Sequence, residues 1–447
     1  MLRFGTQWNK AKRYRRFDGA DEVIMRRGKW AYAAGENVKF LERPRGIVAP
    51  RSGICYNKTQ TKEEAIVRRI LSIVLLLSLL MPAGLAEGWV VVEDDDVFPD
   101  RIAQAQVLMR NMTLEQKIWQ LLIVTPEALT GEKITSTLGK TNVLADRPVG
   151  GVVIFGQNIV SEKQLKTLIS KLQSQSAAAG GQPLLIAVSE EGGAYSRVAN
   201  KLGYPLQMSA PEVGIRRDAT NAYATGQSIG AYLKPFGINL DFAPVSDVVT
   251  ADDSWIQERT YGADPARTAE MTVQMAAGLR SEGIVPCFSH FPGQGSINGN
   301  LNNREVVNAR PLAEMRGADW VPFRQAIAAQ AEMIMVSHAP SKAAGDGLPA
   351  SLSPIVITQW LREELGFTGV VITDSLRMGA ITSAYKPGQA AVRALQAGAD
   401  LLLLPTDADA AVNSILKAID AGELTVERID ESTARVLALK IERNIIQ

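Results

Sequence analysis

The sequence is short of the residues that most often carry chemistry. Among 447 residues there are two cysteines, Cys55 and Cys287, and two histidines, His290 and His338. Two cysteines make no disulfide framework. Cys287, inside the apolar stretch "GIVPCFSH", suits a buried, inert thiol. Nothing in its surroundings would lower its pKa enough to make it a nucleophile. Two histidines with several carboxylates fit a Zn or Fe site by inventory, but HxH and HExxH spacings are missing. No metal and no other cofactor is expected. No Gly-rich dinucleotide fingerprint follows the first predicted strand, and there are no internal repeats or low-complexity tracts.

Net charge is also scarce, at +1, but it is unevenly spread. Residues 1–66 hold 15 Lys and Arg against 7 Asp and Glu, whereas residues 87–447 hold 31 against 40. The acidic remainder argues against nucleic acid as a partner, because phosphate binding needs a basic face. Between the two lies "RRILSIVLLLSLLMPAGLA", Arg68 to Ala86. Two arginines, an apolar run broken by Pro82-Ala83-Gly84 and a small residue at the end predict a signal peptide over 67–86. An uncleaved membrane anchor is the alternative, since about 17 apolar residues is the lower limit for a span. Export signals begin chains. A start at Val67 would leave residues 1–66 outside the product, a basic extension with no sustained period of 3.6 or 2. A start at Met1 would favour the anchor, with the basic segment left in the cytoplasm. The expected location is therefore exported, with contact to a membrane only if the segment stays uncleaved.

From residue 100 to 447, apolar runs alternate with amphipathic stretches. Strands are predicted at "QLLIVT" (120–125), "GGVVIFG" (150–156), "PLLIAVS" (183–189), "INLDFAP" (238–244), "GIVPCFSH" (283–290), "EMIMVSH" (332–338), "GVVITDS" (369–375) and "DLLLLPT" (400–406). Runs that are apolar throughout suit parallel strands covered on both faces. Helices are predicted between them, such as "SEKQLKTLISKLQSQSA" and "DPARTAEMTVQMAAGLRSEG". Eight βα units predict a single-domain α/β fold, a (β/α)8 TIM-like barrel, with a doubly wound open sheet as the alternative. Function in such a barrel gathers at the C-terminal strand ends. Those positions hold Glu190, Glu191, Asp247, His290, His338 and Asp374. Asp374, an acid directly after an apolar strand, is the best candidate for a glycosidase nucleophile; helix capping by Asp374 or Ser375 is the structural alternative.

Several stretches together resemble family 3 glycoside hydrolases, specifically the single-barrel bacterial β-N-acetylhexosaminidases, from about residue 103 to the end. "MTLEQKIWQLLIV" resembles the opening helix and strand, and "VSEEGGAYSRV" the DQEGG segment with its following Arg. "DFAPVSDV" resembles NFAPVLDV, "ERTYGADP" resembles RSFGxDP, and "CFSHFPGQG" resembles AKHFPGHG. "LPASLSPIVITQWLREELGFTGVVITDSLRMGAI" matches almost throughout. The resemblance implies retaining hydrolysis of terminal β-linked N-acetylglucosamine, in amino-sugar glycans such as peptidoglycan fragments, with Asp374 as nucleophile and no cofactor. Glu191, Arg197, Arg259 and His290 would line the sugar subsite; Asp247 and His338 would be scaffold. The family's KHFPGHGDTxxDxH loop ends in an Asp/His dyad that supplies the general acid and base. Here the dyad positions are Asn300 and Asn302, with Ser289 for the Lys, Gln294 for the second His and Ser296 for the first Asp. Ser189 replaces an expected sugar-gripping Asp. Carboxamides do not donate protons as acids do, and general acid help is typically a factor of about 10² to 10⁴. The expectation is an impaired glycosidase, with a non-catalytic glycan- or cell-wall-binding relative as the alternative. Glu305 is the nearest carboxylate downstream, available as a substitute if the loop folds inward.

Overall fold

The computed structural model describes strands Glu22–Arg26, Lys29–Ala34 and Asn37–Leu41 and residues 97–251 and 254–446. The chain divides into two compact units, Met1–Val92 and Glu93–Gln447. In the first, β1 (Glu22–Arg26), β2 (Lys29–Ala34) and β3 (Asn37–Leu41) form an antiparallel sheet in that order. These strands fall within residues 1–66, the stretch read from the sequence as a basic extension without sustained periodicity. Trp30, Tyr32, Val38 and Phe40 are strand formers. The residues between Trp30 and Tyr32 and after them are alanines, so apolar and polar positions do not alternate visibly. The signal-like segment 67–86 lies outside the described residues.

The second unit is the barrel. Its strands are β4 (Leu122–Val124), β5 (Gly151–Val153), β6 (Leu185–Val188), β7 (Leu240–Asp241), β8 (Val285–Phe291), β9 (Met333–Val336), β10 (Val370–Thr373) and β11 (Leu402–Leu403). All neighbours pair in parallel, in the order β10-β9-β8-β7-β6-β5-β4-β11. A parallel bridge between Ile372 and Leu401 joins the last strand to β10 and closes the ring. Every strand residue is buried, as continuous apolar runs require when helices cover the outer face. The open-sheet alternative is excluded by this closure.

The helices begin where the sequence supplies side-chain caps. Ser161 accepts from Gln164 N–H in a capping box and starts Glu162–Ala178, whose buried face is Leu165, Leu168, Ile169 and Leu172. Asp264 caps Pro265–Ser281, with proline in the first turn where a missing N–H costs nothing. Asp407 and Thr425 cap the two closing helices, Ala408–Asp420 and Val426–Glu442. The predicted strand 238–244 shrinks to two residues. Pro244 has no N–H to give the ladder, and beyond it pairing thins to a single bridge from Val245 to Ser289. Because all eight strands run one way, their C-terminal ends and the loops after them share one face.

Candidate active site

Asp374 follows β10 directly and is half-buried. Its N–H donates to Val336 O at 2.9 Å, and its Oδ1 accepts from Ser375 N–H at 2.7 Å. Oδ2 accepts no hydrogen bond among the described residues. The next helix begins only at Gly379, after Met378, so Asp374 is not a helix cap. His338, two residues beyond β9, fixes the chain beside it. Its Nε2–H donates to Ser375 O at 2.9 Å, and its Nδ1 accepts from the Ser351 hydroxyl at 2.7 Å, a tautomer assigned from these partners. Complete burial is the main cause that lowers its pKa, so the ring stays neutral at pH 7. With both nitrogens used, His338 has none left for a ligand.

The loops after β6 and β7 bring in the charged pair. Arg259 Nε donates to Glu191 Oε2 at 2.8 Å and Nη2 to Oε1 at 2.6 Å, a bidentate fork. Burial by itself would lower the pKa of Arg259. The Glu191 charge and hydrogen bond, with the Asp374 and Asp247 charges, together outweigh it, and the net shift is upward. Arg259 therefore lies in the field of the candidate nucleophile. Buried ion pairs contribute little net stability, which points to positioning as the use of this one.

His290, the penultimate residue of β8, is held by Asp247. The Asp247 Oδ2 accepts from His290 Nδ1–H at 2.8 Å, and Oδ1 accepts from Gln294 N–H at 2.6 Å. Asp247 is fully buried. This bond puts the His290 proton on Nδ1 and leaves Nε2 without a protein partner among the described residues. Glu190, also a strand-end candidate, is used elsewhere. Its carboxylate accepts from Val198 N–H, Ala199 N–H and Tyr232 O–H, which anchors the helix Arg197–Leu202. Arg197, first residue of that helix, is exposed and makes no side-chain hydrogen bond with the Glu191, Arg259 and His290 group. Cys287 is free and fully buried, and burial pushes its thiol pKa well up.

The loop after β8 is pinned along its length. Gly295 O accepts from Thr250 N–H and Ala251 N–H at one flank. At the other, Gly379 N–H donates to Asn302 O at 2.8 Å and Ala380 N–H to Leu301 O at 3.1 Å. A Cβ at Gly379 would meet the Asn303 carbonyl at 2.5 Å, so only glycine allows this approach. Ile297 and Leu301 are buried against Ala339, Met378 and Ala380 in a small apolar cluster of their own. At the base, Asn308 donates from Nδ2 to Gly293 O and accepts at Oδ1 from Arg310 N–H. Asn300 and Asn302 bond to each other, Nδ2 of Asn302 donating to Oδ1 of Asn300 at 2.9 Å, and Asn302 is exposed. Glu305 is exposed as well. Neither amide reaches Asp374 by a hydrogen bond.

Strand-end reasoning missed Tyr195 and Glu258. The Tyr195 hydroxyl donates to Glu258 Oε2 at 3.1 Å, and its ring centroid is 5.6 Å from the Arg259 guanidinium carbon. Neither residue ends a strand, and their 63-residue separation gives no signal of contact. A cavity of about 550 Å³ lined by Pro183, Ile238, Ile284 and Arg443 sits at the opposite, N-terminal ends of the strands, away from Asp374.

Comparison with known proteins agrees with this geometry. The Glycosyl hydrolase family 3 N terminal domain matches residues 113–439. The beta-hexosaminidase LpqI of Mycobacterium tuberculosis is 34% identical over 307 residues, 67% of this chain and 77% of that protein. A secreted glycosyl hydrolase of Arthroderma benhamiae, itself uncharacterized, is 33% identical over 305 residues, 65% of this chain and 84% of that protein. Among solved structures, a family 3 beta-N-acetylglucosaminidase from Paenibacillus sp. is similar with a TM-score of 0.71 and 32% identity. That match covers 75% of this chain and 63% of the Paenibacillus chain, so the present chain spans less than two thirds of that relative. An eight-stranded parallel barrel with an acid at the end of its seventh strand, matched by the family pattern over most of its length, belongs to glycosyl hydrolase family 3.

Proposed function

We propose that this chain is a retaining glycosidase of the β-N-acetylhexosaminidase type, using Asp374 as nucleophile on terminal β-linked N-acetylglucosamine without a cofactor. One observation carries the proposal. Asp374 follows β10, half-buried, with Oδ2 unpaired among the described residues, in the field of the Glu191–Arg259 pair. A retaining enzyme needs such a carboxylate to attack the anomeric carbon and a second group to protonate the departing oxygen. The hexosaminidase and N-acetylglucosaminidase relatives support the sugar class. Peptidoglycan fragments are the amino-sugar substrates we favour. Export is also part of the proposal; it rests on residues 67–86 and is supported by the secreted Arthroderma relative.

A second reading is favoured by Asn300 and Asn302: a non-catalytic relative that binds glycan. One assay separates the two. The full chain and Asp374→Ala are given an aryl N-acetylglucosaminide with a good leaving group, and chitobiose. Turnover of the aryl compound that disappears in Asp374→Ala supports the glycosidase. Saccharide binding with no turnover of either compound supports the binding protein.

A further inference from the structure

His290 keeps Nε2 unpartnered among the described residues, and its place depends on the turn 290–295. His338, bonded to the Ser375 carbonyl next to Asp374, lies in the fields of both Asp374 and the His290 ring. Asp247 holds the turn through the His290 ring and Gln294 N–H. A second acid, Asp319, lies against Gly293, which has φ +124°; a Cβ there would meet Asp319 Cβ at 2.8 Å. Asp319 is fully buried, and both its oxygens accept from Arg310 Nη1, at 3.1 and 3.0 Å. Arg310 also touches two residues that pin the turn. Its N–H donates to Asn308 Oδ1 at 2.9 Å, and Asn308 Nδ2 donates to Gly293 O at 3.1 Å. Its Nη1 donates to Thr250 Oγ1 at 3.2 Å, and Thr250 N–H donates to Gly295 O at 3.0 Å. Burial pushes the Asp319 carboxyl up to about 7 despite the pull of Arg310, with the Asp247 charge adding to the rise. The fold thus holds this charge at a cost, and such buried pairs contribute little net stability.

We infer that the Arg310–Asp319 pair positions His290 for the sugar, by fixing the turn 290–295 at Gly293 and Gly295. This rests on His290 lining the sugar subsite of the proposed glycosidase. The sugar contact belongs to His290. Arg310 and Asp319 act through the backbone of the turn and through Asn308 and Thr250, so both are positioning residues. A neutral side chain at 319 leaves the mostly buried Arg310 guanidinium without its counter-charge. Gly293 and Gly295 are then free to shift, and the imidazole shifts with them. A displacement of about 1 Å at a binding group can cost about 10²-fold.

The test compares the full chain with Asp319→Asn, Arg310→Lys, Glu314→Gln and the double variant Arg310→Met with Asp319→Leu. The readouts are calorimetric binding of N-acetylglucosamine, turnover of an aryl N-acetylglucosaminide with a good leaving group, urea unfolding, and the NMR resonances of the chain's two imidazoles. Asp319→Asn should weaken sugar binding by about 10- to 100-fold and shift the His290 resonance further than that of His338. Arg310→Lys keeps the charge but loses the reach to Thr250, and should lose about tenfold. Glu314→Gln removes the exposed partner of Arg310 and should match wild type. The double variant should keep or regain the unfolding midpoint, because apolar side chains can replace a buried pair, without regaining sugar affinity. If Asp319→Asn does not fold, Arg310→Lys and the double variant decide. A folded Asp319→Asn with wild-type affinity and an unmoved His290 resonance overturns the inference. A double variant that recovers both stability and affinity overturns it too, since the pair would then serve packing alone. A wild type that binds the sugar without cleaving it overturns the glycosidase reading alone, because the binding comparison still decides the inference. A wild type that does neither overturns both.

Discussion

Replacing Lys440 with methionine should stabilise the barrel at neutral pH, and the gain should disappear in alkali. Lys440 lies fully buried in the helix Val426–Glu442. Its Nζ donates to Gln120 Oε1 at 3.0 Å and to no carboxylate among the described residues. Gln120 is itself held by Nε2 donating to Pro148 O at 2.7 Å. Burial pushes the Lys440 pKa from its ordinary 10.5 down to about 7. Between those values the unfolded chain binds a proton that the folded chain refuses, so stability rises with pH through this window, by about 1.4 kcal/mol per unit. The penalty is complete below pH 7, on the order of 5 kcal/mol, and absent above 10.5. Methionine removes it but leaves Gln120 Oε1 without its donor, at a cost of about 1–3 kcal/mol. Lys440→Met should therefore be about 2–4 kcal/mol more stable than wild type at mildly acid pH, and about 1–3 kcal/mol less stable in strong alkali. Urea unfolding of both proteins across that range measures this. The change in their difference with pH is independent of how well methionine packs. A difference that stays flat would refute the reasoning and show that the ammonium keeps its charge in the fold.

Two further outcomes concern the loop after β8. Leu301→Ala should cost about 2–5 kcal/mol locally. The Ile297–Leu301 cluster is separate from the main core. The loss should therefore appear as faster amide exchange over residues 296–306, with little change in the global unfolding midpoint. Restoring the family's dyad with Asn300→Asp and Asn302→His together should raise chitobiose turnover by less than about tenfold, against the 10² to 10⁴ of a working acid. The backbone bonds from Gly379 and Ala380 hold position 302 at the rim whatever side chain it bears. Steady-state kinetics of the double variant measures this, and a larger gain would show that the loop swings freely.

The barrel was legible because each of its strands is an uninterrupted apolar run bounded by turn residues, as in "GVVITDS". Strand lengths were less so: the run "INLDFAP" looks seven residues long, yet regular pairing covers only Leu240 and Asp241, with single hydrogen bonds from Cys287 N–H to Ala243 O and from Ser289 N–H to Pro244 O beyond it. Knowing the barrel's direction was enough to find Asp374, Asp247 and both histidines, since their positions follow from where strands end. Which of them touch was not legible. Arg259 and Glu191 are 68 residues apart, and their fork exists only because two rim loops converge. Arg197 shows the reverse, since a motif position brought no contact with its expected neighbours. Tyr195 and Glu258 were invisible to strand-end logic because both sit inside loops. The paired strands of residues 22–41 were missed because alanines blurred their alternation.

The most direct measurement is covalent trapping. The full chain is treated with 5-fluoro-N-acetylglucosaminyl fluoride, which forms a glycosyl-enzyme faster than water releases it, and is then digested and sequenced by mass spectrometry. One sugar residue attached to the peptide containing Asp374, and absent from Asp374→Ala, is the expected result. A label on another carboxylate, or turnover of the fluoride with no adduct, would contradict Asp374 as the nucleophile.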